Sequence, residues 1–192
     1  MGSNLPHALA LAARGFRIIP LYDPGPDGKR PRIPNWQKLA TTDVHVIARW
    51  WAQFPNANVG AAMGGPARLI AIDVDGEDGL ASWNGLAFGS HDPPKTLESK
   101  SGSGEGFHVF FQLQDHHDLA KIRNAVRFLP GLDVRAEGGQ VVLPPSIHES
   151  GRAYEWVDES VPIAPLPDWV YALIEADDAP KPASSTRVPR TD

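Results

Sequence analysis

Residues 69–75, LIAIDVD, run four apolar side chains straight into two aspartates one residue apart. In a strand, residues i and i+2 share a face. Asp73 and Asp75 would then stand side by side, a repulsive arrangement unless something positive lies between them. A chain built around such a strand buries its apolar part and meets the charge with a divalent cation, an Arg or Lys, or water at the strand end. The sequence contains no cysteine, which removes disulfides, zinc–thiolate sites and thiol nucleophiles together. A metal here has to be held by Asp, Glu and His, a donor set that favours Mg²⁺ or Mn²⁺.

The 192 residues fit one domain, or one domain with a small annex, and suffice to bury a core. With 42% hydrophobic and 21% charged residues, most of the chain is expected to fold. The net charge of −5 gives no general support for a nucleic-acid partner, although a local basic patch is compatible with it. No basic segment followed by an apolar run opens the sequence, and LPHALALAARG is too short and interrupted to span a bilayer. The expectation is a soluble, cytoplasmic protein with no membrane partner.

Periodicity and punctuation predict helices over 4–15, 41–55, 116–129 and 167–176, with a possible helical turn near 78–86. In the second helix Thr41 or Thr42 is the expected N-cap, and Val44, Ile47, Trp50 and Trp51 share one face. In the third, Leu119, Ile122, Val126 and Leu129 point inward. Strands are expected over 16–22, 68–75 and 106–113, and LDVRAEGGQVVLPPS reads as a hairpin of 132–136 and 140–143. VGAAMGG, after Asn58, is a short strand or turn. Interleaved strands and helices with hairpin character predict an α+β domain with a mixed or antiparallel sheet over 1–176. Residues 177–192 are expected to be a disordered tail or linker.

Three polar features sit beside apolar strands. Asp73-Val74-Asp75 is the first; a solvated strand end explains it as well as a metal site does. In the second, SKSGSGEGFHVFF, Ser99, Ser101 and Ser103 alternate with Gly102, Gly104 and Gly106 before a strand carrying His108. Glycines let backbone N–H groups approach an anion and serines add hydroxyl donors. The stretch is neither a Walker A loop nor a dinucleotide fingerprint. A flexible loop and a core histidine are the plain alternatives. In the third, Asp133 and Arg135 share a strand face, by default as a surface ion pair. Downstream, Pro144-Pro145 forms a rigid turn that would hold Ser146 near the strand pair's end.

Taken in order, IAIDVD, SGSGEGFH and LDVR resemble the bifunctional primase–polymerase domain of the archaeo-eukaryotic primase superfamily. GFRIIPL…GKRP…NW, ANVGAAMGG, the RWW helix and GGQVVLPPSIHESGRAYEW are also similar to that family's pattern, so the likeness spans roughly residues 6–175. It implies an RRM-like catalytic sheet beside a smaller αβ N-terminal module. It further implies template-directed nucleotidyl transfer, as primase or DNA polymerase, by a two-metal mechanism in plasmid, phage or mobile-element replication. Asp73, Asp75 and Asp133 would be the catalytic, metal-binding carboxylates for Mg²⁺ or Mn²⁺, and His108 would contact the incoming triphosphate. Ser101, Ser103, Lys29, Arg135 and Ser146 would line the same phosphate site. Partners would be a single-stranded DNA template and primer, dNTPs or NTPs, and a C-terminal helicase or other replication domain. Lys and Arg of the 29–38 loop, or Lys121, Arg123 and Arg127 of the 116–129 helix, would hold the template backbone. For that helix a merely solvated outer face is the alternative. A metal-dependent nuclease on the same carboxylates, or a non-catalytic DNA-binding initiation module, are the rival readings.

Overall fold

A computed structural model describes residues 3–87, 93–124 and 126–177. In chain order the elements are α1 (Leu5–Ala13), β1 (Arg17–Pro20), α2 (Trp36–Leu39), α3 (Val44–Gln53), β2 (Val59–Ala62) and β3 (Leu69–Asp75). Next come α4 (Gly76–Ala87), β4 (Glu98–Lys100), β5 (Gly106–Gln112), a 3₁₀ turn (Leu119–Lys121), β6 (Val126–Leu129) and β7 (Leu132–Arg135). β8 (Gln140–Leu143), β9 (Glu155–Trp156), β10 (Ala164–Pro165) and α5 (Asp168–Asp177) complete the fold. The protein is thus α+β. A small antiparallel sheet runs β1-β2-β8, and a larger one runs β6-β7-β3-β5-β4-β9, with β10 added parallel to β5. Among the described residues no helix is long and apolar enough to cross a membrane. The expected tail lies outside the described residues beyond Asp177.

Strand β3 is buried on both faces, which is why its first four residues are all apolar. On one face Ile70, Ile72 and Val74 join Val109, Phe111, Leu132 and Val134 against Val170 and Ile174 of α5. On the other, Leu69, Ala71 and Phe110 pack against Phe16, Ile47, Trp51, Val59 and Val141, so this face meets the small sheet and its helices. The pleat continues that second face through Asp73 and Asp75. The aspartates therefore point into the space between the two sheets. Gly76, at φ +64°, turns the chain into α4 at once. Phe110 is fully buried and meets Phe16 edge-on at 5.6 Å and Trp156 at 5.8 Å, tying sheet to module.

Several local expectations change. Helix α3 is capped by Asp43, whose carboxylate accepts from the His45 and Val46 N–H groups. It leaves Val44 exposed, while Ile47 and Trp51 are buried. Among the described residues of 116–129 there is no α-helix: Asp118 caps a single 3₁₀ turn, and residues from 126 extend along β7. Helical spacing of Leu119, Ile122, Val126 and Leu129 misled because spacings of three and four also fit a turn followed by a strand, and Ile122 and Phe128 bury in that arrangement. The expected hairpin is not a pair either. β7 joins β3 and β6 in the large sheet, whereas β8 joins β2 in the small one. Residues 136–139 carry the chain from one sheet to the other, so β8 makes the small module discontinuous in sequence.

Candidate active site

Antiparallel register sets the site. Asp73 on β3 is directly opposite His108 on β5 and directly opposite Asp133 on β7. The row continues outward to Arg127 on β6 and to Ser99 on β4. One face of five neighbouring strands thus presents Arg127, Asp133, Asp73, His108 and Ser99 side by side. Asp75 follows Asp73 on the same face and is more exposed.

The Asp73 carboxylate is held from two sides. Arg135 donates to Oδ2 from Nη2 at 2.8 Å and from Nε at 3.2 Å, and His108 Nε2 lies 3.4 Å from Oδ1. Burial disfavours this charge, but His108 and Arg135 outweigh it and bring the Asp73 pKa to about 2. Arg135 is only 3.9 Å from Asp133 Oδ2. Its principal partner is therefore Asp73, rather than the Asp133 that its spacing suggests. Asp133 is held by Arg127 Nε at 3.2 Å. For Asp75 the balance is reversed: burial and the charges of Asp73 and Asp133 outweigh His108 and Arg135 and push its pKa up.

A cavity of about 560 Å³ opens over this face, with Asp73, Asp75, His108 and Arg135 on its floor. Ser101, Ser103 and Tyr154 form one wall, while Lys29 and Gln140 come from the opposite, small-sheet side. The Ser101 and Ser103 hydroxyls are 3.0 Å apart. Lys29 is held because its carbonyl accepts from Gln140 Nε2 at 2.9 Å. A larger cavity, about 1120 Å³, lies beyond the serine loop against Leu80, Phe107 and Val157. It contains none of Asp73, Asp75, His108 and Arg135, all of which line the smaller one.

Three placements depart from expectation. Ser146 is fully buried; its hydroxyl accepts from Val59 N–H at 2.8 Å and donates to the Val59 carbonyl at 3.1 Å. It is a brace beneath β2 and does not line the cavity, a correction to its expected phosphate role. Asp133 flanks Asp73 without forming a cavity wall. The basic helix face expected for template does not form: Lys121 pairs with Glu175 at 2.6 Å and Arg127 with Asp133.

Two further groups were not read from the sequence. Tyr154 stacks parallel to His108, 6.4 Å between centroids and 8° between planes. Burial, with the charges of Asp73 and Asp75, pushes its hydroxyl pKa up to about 12, so it is a neutral donor. Ser99 Oγ lies 3.4 Å from His108 Nδ1. Only the serine alternation pointed toward Ser99, and only the GRAYEW block toward Tyr154.

The donor chemistry suits a hard divalent cation: Asp73, Asp75 and Asp133 lie on one sheet face, and the repulsion that raises Asp75 is what a cation there would relieve. A second group, His116, His117 and Asp168, has its ligand atoms within 4.8 Å of one another. There, however, the Gln114 N–H donates to His117 Nδ1 at 3.2 Å. The proton of neutral His117 then sits on Nε2 and is donated to Asp168 at 2.8 Å. That cluster ties the start of α5 to the 114–118 turn, and its tautomer opposes metal ligation.

Residues 8–169 match the family described as bifunctional DNA primase/polymerase, N-terminal. No curated protein matches the chain. The match covers well over half of the sequence, and the chain belongs to the bifunctional DNA primase/polymerase family.

Proposed function

We propose that this member of the primase/polymerase family carries out template-directed nucleotidyl transfer in the cavity between its two sheets, extending or initiating a strand on single-stranded DNA from dNTPs or NTPs. The observation that carries the reading is the cross-strand row Asp133, Asp73, His108, placed beside a serine–glycine turn and facing Lys29. Asp73, Asp75 and Asp133 would hold Mg²⁺ or Mn²⁺. Bound there, the metal would supply Lewis-acid charge that favours the attacking 3′-hydroxyl and the departing pyrophosphate.

The chain's own residues would do the rest by position and charge, as phosphoryl transfer requires. Lys29 from one wall, and Ser101 with Ser103 from the other, grip the triphosphate. His108 donates a hydrogen bond to a phosphate oxygen from Nε2, oriented by Ser99 at Nδ1 and by the Tyr154 ring. Arg135 keeps Asp73 ionised at any working pH and turns its carboxylate toward the cavity. Template and primer contacts are sequence-independent, so binding weakens steeply with salt. Plasmid, phage or mobile-element replication, with a helicase or other replication domain following in the same protein, is the setting such a domain suits.

Primer extension on a single-stranded template with Mg²⁺ or Mn²⁺ tests this, comparing wild type with Asp75→Asn. Template-directed growth lost in the variant supports the reading. Strand shortening instead of growth would identify a nuclease, and DNA binding without either reaction would identify a non-catalytic initiation module.

A further inference from the structure

The segment after the Pro144-Pro145 turn, SIHESGRAY (146–154), belongs to neither sheet apart from short contacts, yet it is densely bonded. Its N-terminal end is locked to the small module. The Asn58 side chain, 1% exposed, accepts from Ile147 N–H at 2.9 Å and donates to the Ile147 carbonyl at 2.9 Å. Its far end is locked by Tyr154 N–H to the Ser146 carbonyl at 2.8 Å. Between them, His148 and Arg152 close the segment through backbone bonds at 2.8 Å and, via Gly151, 2.9 Å.

This rigid loop lies against the back of the serine–glycine turn. Arg152 Nε donates to the Gly102 carbonyl at 3.1 Å, and Ser150 Oγ donates to the same carbonyl at 2.8 Å. The fit leaves no room for side chains. A Cβ on Gly102 would stand 2.4 Å from His148 Cβ, and one on Gly104 would stand 2.6 Å from Arg152 Nη1. Gly104 also has φ +87°, a left-handed conformation that glycine adopts without strain. Gly102 and Gly104 thus serve close packing against a second loop, and the turn is a fixed object rather than a flexible one.

We infer that Arg152 and Ser150 are positioning residues for nucleotide binding: by clamping the Gly102 carbonyl they hold Ser101 and Ser103 at the cavity wall where the triphosphate is gripped. The inference rests on the proposed function for its ligand, but its geometry is independent of any turnover. Arg152 acts through the turn, with one N–H on a defined carbonyl and its planar fork lying over Gly104. Lysine shares the charge and lacks both features.

The test uses wild type, Arg152→Ala, Arg152→Lys and Ser150→Ala in two assays: primer extension as a function of dNTP concentration, and calorimetric binding of inorganic tripolyphosphate with Mg²⁺. Arg152→Ala is expected to raise both the nucleotide KM and the tripolyphosphate Kd about tenfold, with kcat within about threefold, as for loss of one charge-assisted hydrogen bond. Arg152→Lys is expected to stay as impaired. Unchanged tripolyphosphate affinity in folded Arg152→Ala overturns the inference, and so does full rescue by lysine, which would make Arg152 a simple phosphate-facing charge. If Arg152→Ala fails to fold, Ser150→Ala decides: a Kd raised severalfold supports the clamp and an unchanged Kd refutes it. A wild type that binds tripolyphosphate but extends no primer would sink the polymerase reading and leave the clamp intact. One that binds no tripolyphosphate would sink the clamp.

Discussion

Asp73 and Asp133 face one another directly across the antiparallel pairing of β3 and β7. Like charges in that position destabilise a sheet, and here Arg135 and Arg127 offset the cost from opposite sides. For Asp75, one pleat further on, burial and its two acidic neighbours outweigh the opposing influence of His108 and Arg135. The three carboxylates therefore differ in what their loss should do.

Asp75→Asn removes a charge that the apo site repels. Extension should fall by about a hundredfold or more, the scale for losing a principal electrostatic stabiliser. Stability should hold within about 0.5 kcal/mol, the range for exposed substitutions. Chemical denaturation alongside the extension assay checks both. A large stability loss with retained activity would refute the catalytic assignment.

Asp73 links the site to acid stability. Its folded pKa of about 2 lies below the ordinary carboxyl value of 3.8, so its contribution is full above about pH 5 and disappears as pH falls through about 4 to about 2. The shift corresponds to roughly 2 kcal/mol. Urea titrations across this window should show Asp73→Asn less stable than wild type by that order at pH 7, with the difference shrinking toward pH 2. A difference that does not shrink would mean that the carboxylate charge is not the source.

Ser146→Ala leaves both Val59 backbone groups without their partner in a buried place, which costs about 1–3 kcal/mol. The nucleotide KM should stay within about twofold of wild type, because Asn58 still holds Ile147 by two hydrogen bonds. A selective rise in KM at unchanged stability would restore Ser146 to the phosphate site.

Phe110→Ala empties the joint between sheet and module and should cost about 3–5 kcal/mol. Since His108 lies two residues away on the same strand face, the cavity should also lose definition. Thermal unfolding of the variant measures the first effect, and a broadened His108 ring signal in NMR measures the second.

What was legible in the sequence followed from strong local pattern. LIAIDVD is apolar on both faces until Asp73, so its strand and the turn of its second face toward charge could be read directly. His108 and Asp133 were identified by resemblance, and register explains why they belong with Asp73. Residues 116–129 were misread because apolar spacing of three and four also fits a turn followed by a strand, and the pairing of β6 with β7 overrode it. LDVR and QVVL looked like partners because a Gly-Gly step joins them, yet each had a better neighbour elsewhere. Tyr154 and Ser99 could not be found by spacing, since stacking and cross-strand contact bring them to His108 from distant segments.

The crossing at 136–139 has a mechanical meaning. Arg135 on one wall of the cavity and Gln140 on the other are separated by four residues, a tether of at most about 3.5 Å per step. A second direct crossing, from β2 to β3, runs alongside. Met63 N–H donates to the Gly139 carbonyl at 3.0 Å, and Gly65 N–H to Glu137 Oε2 at 2.6 Å. Two such ties set side by side hold the sheets in register along that edge of the cavity, so any widening there has to stretch both at once.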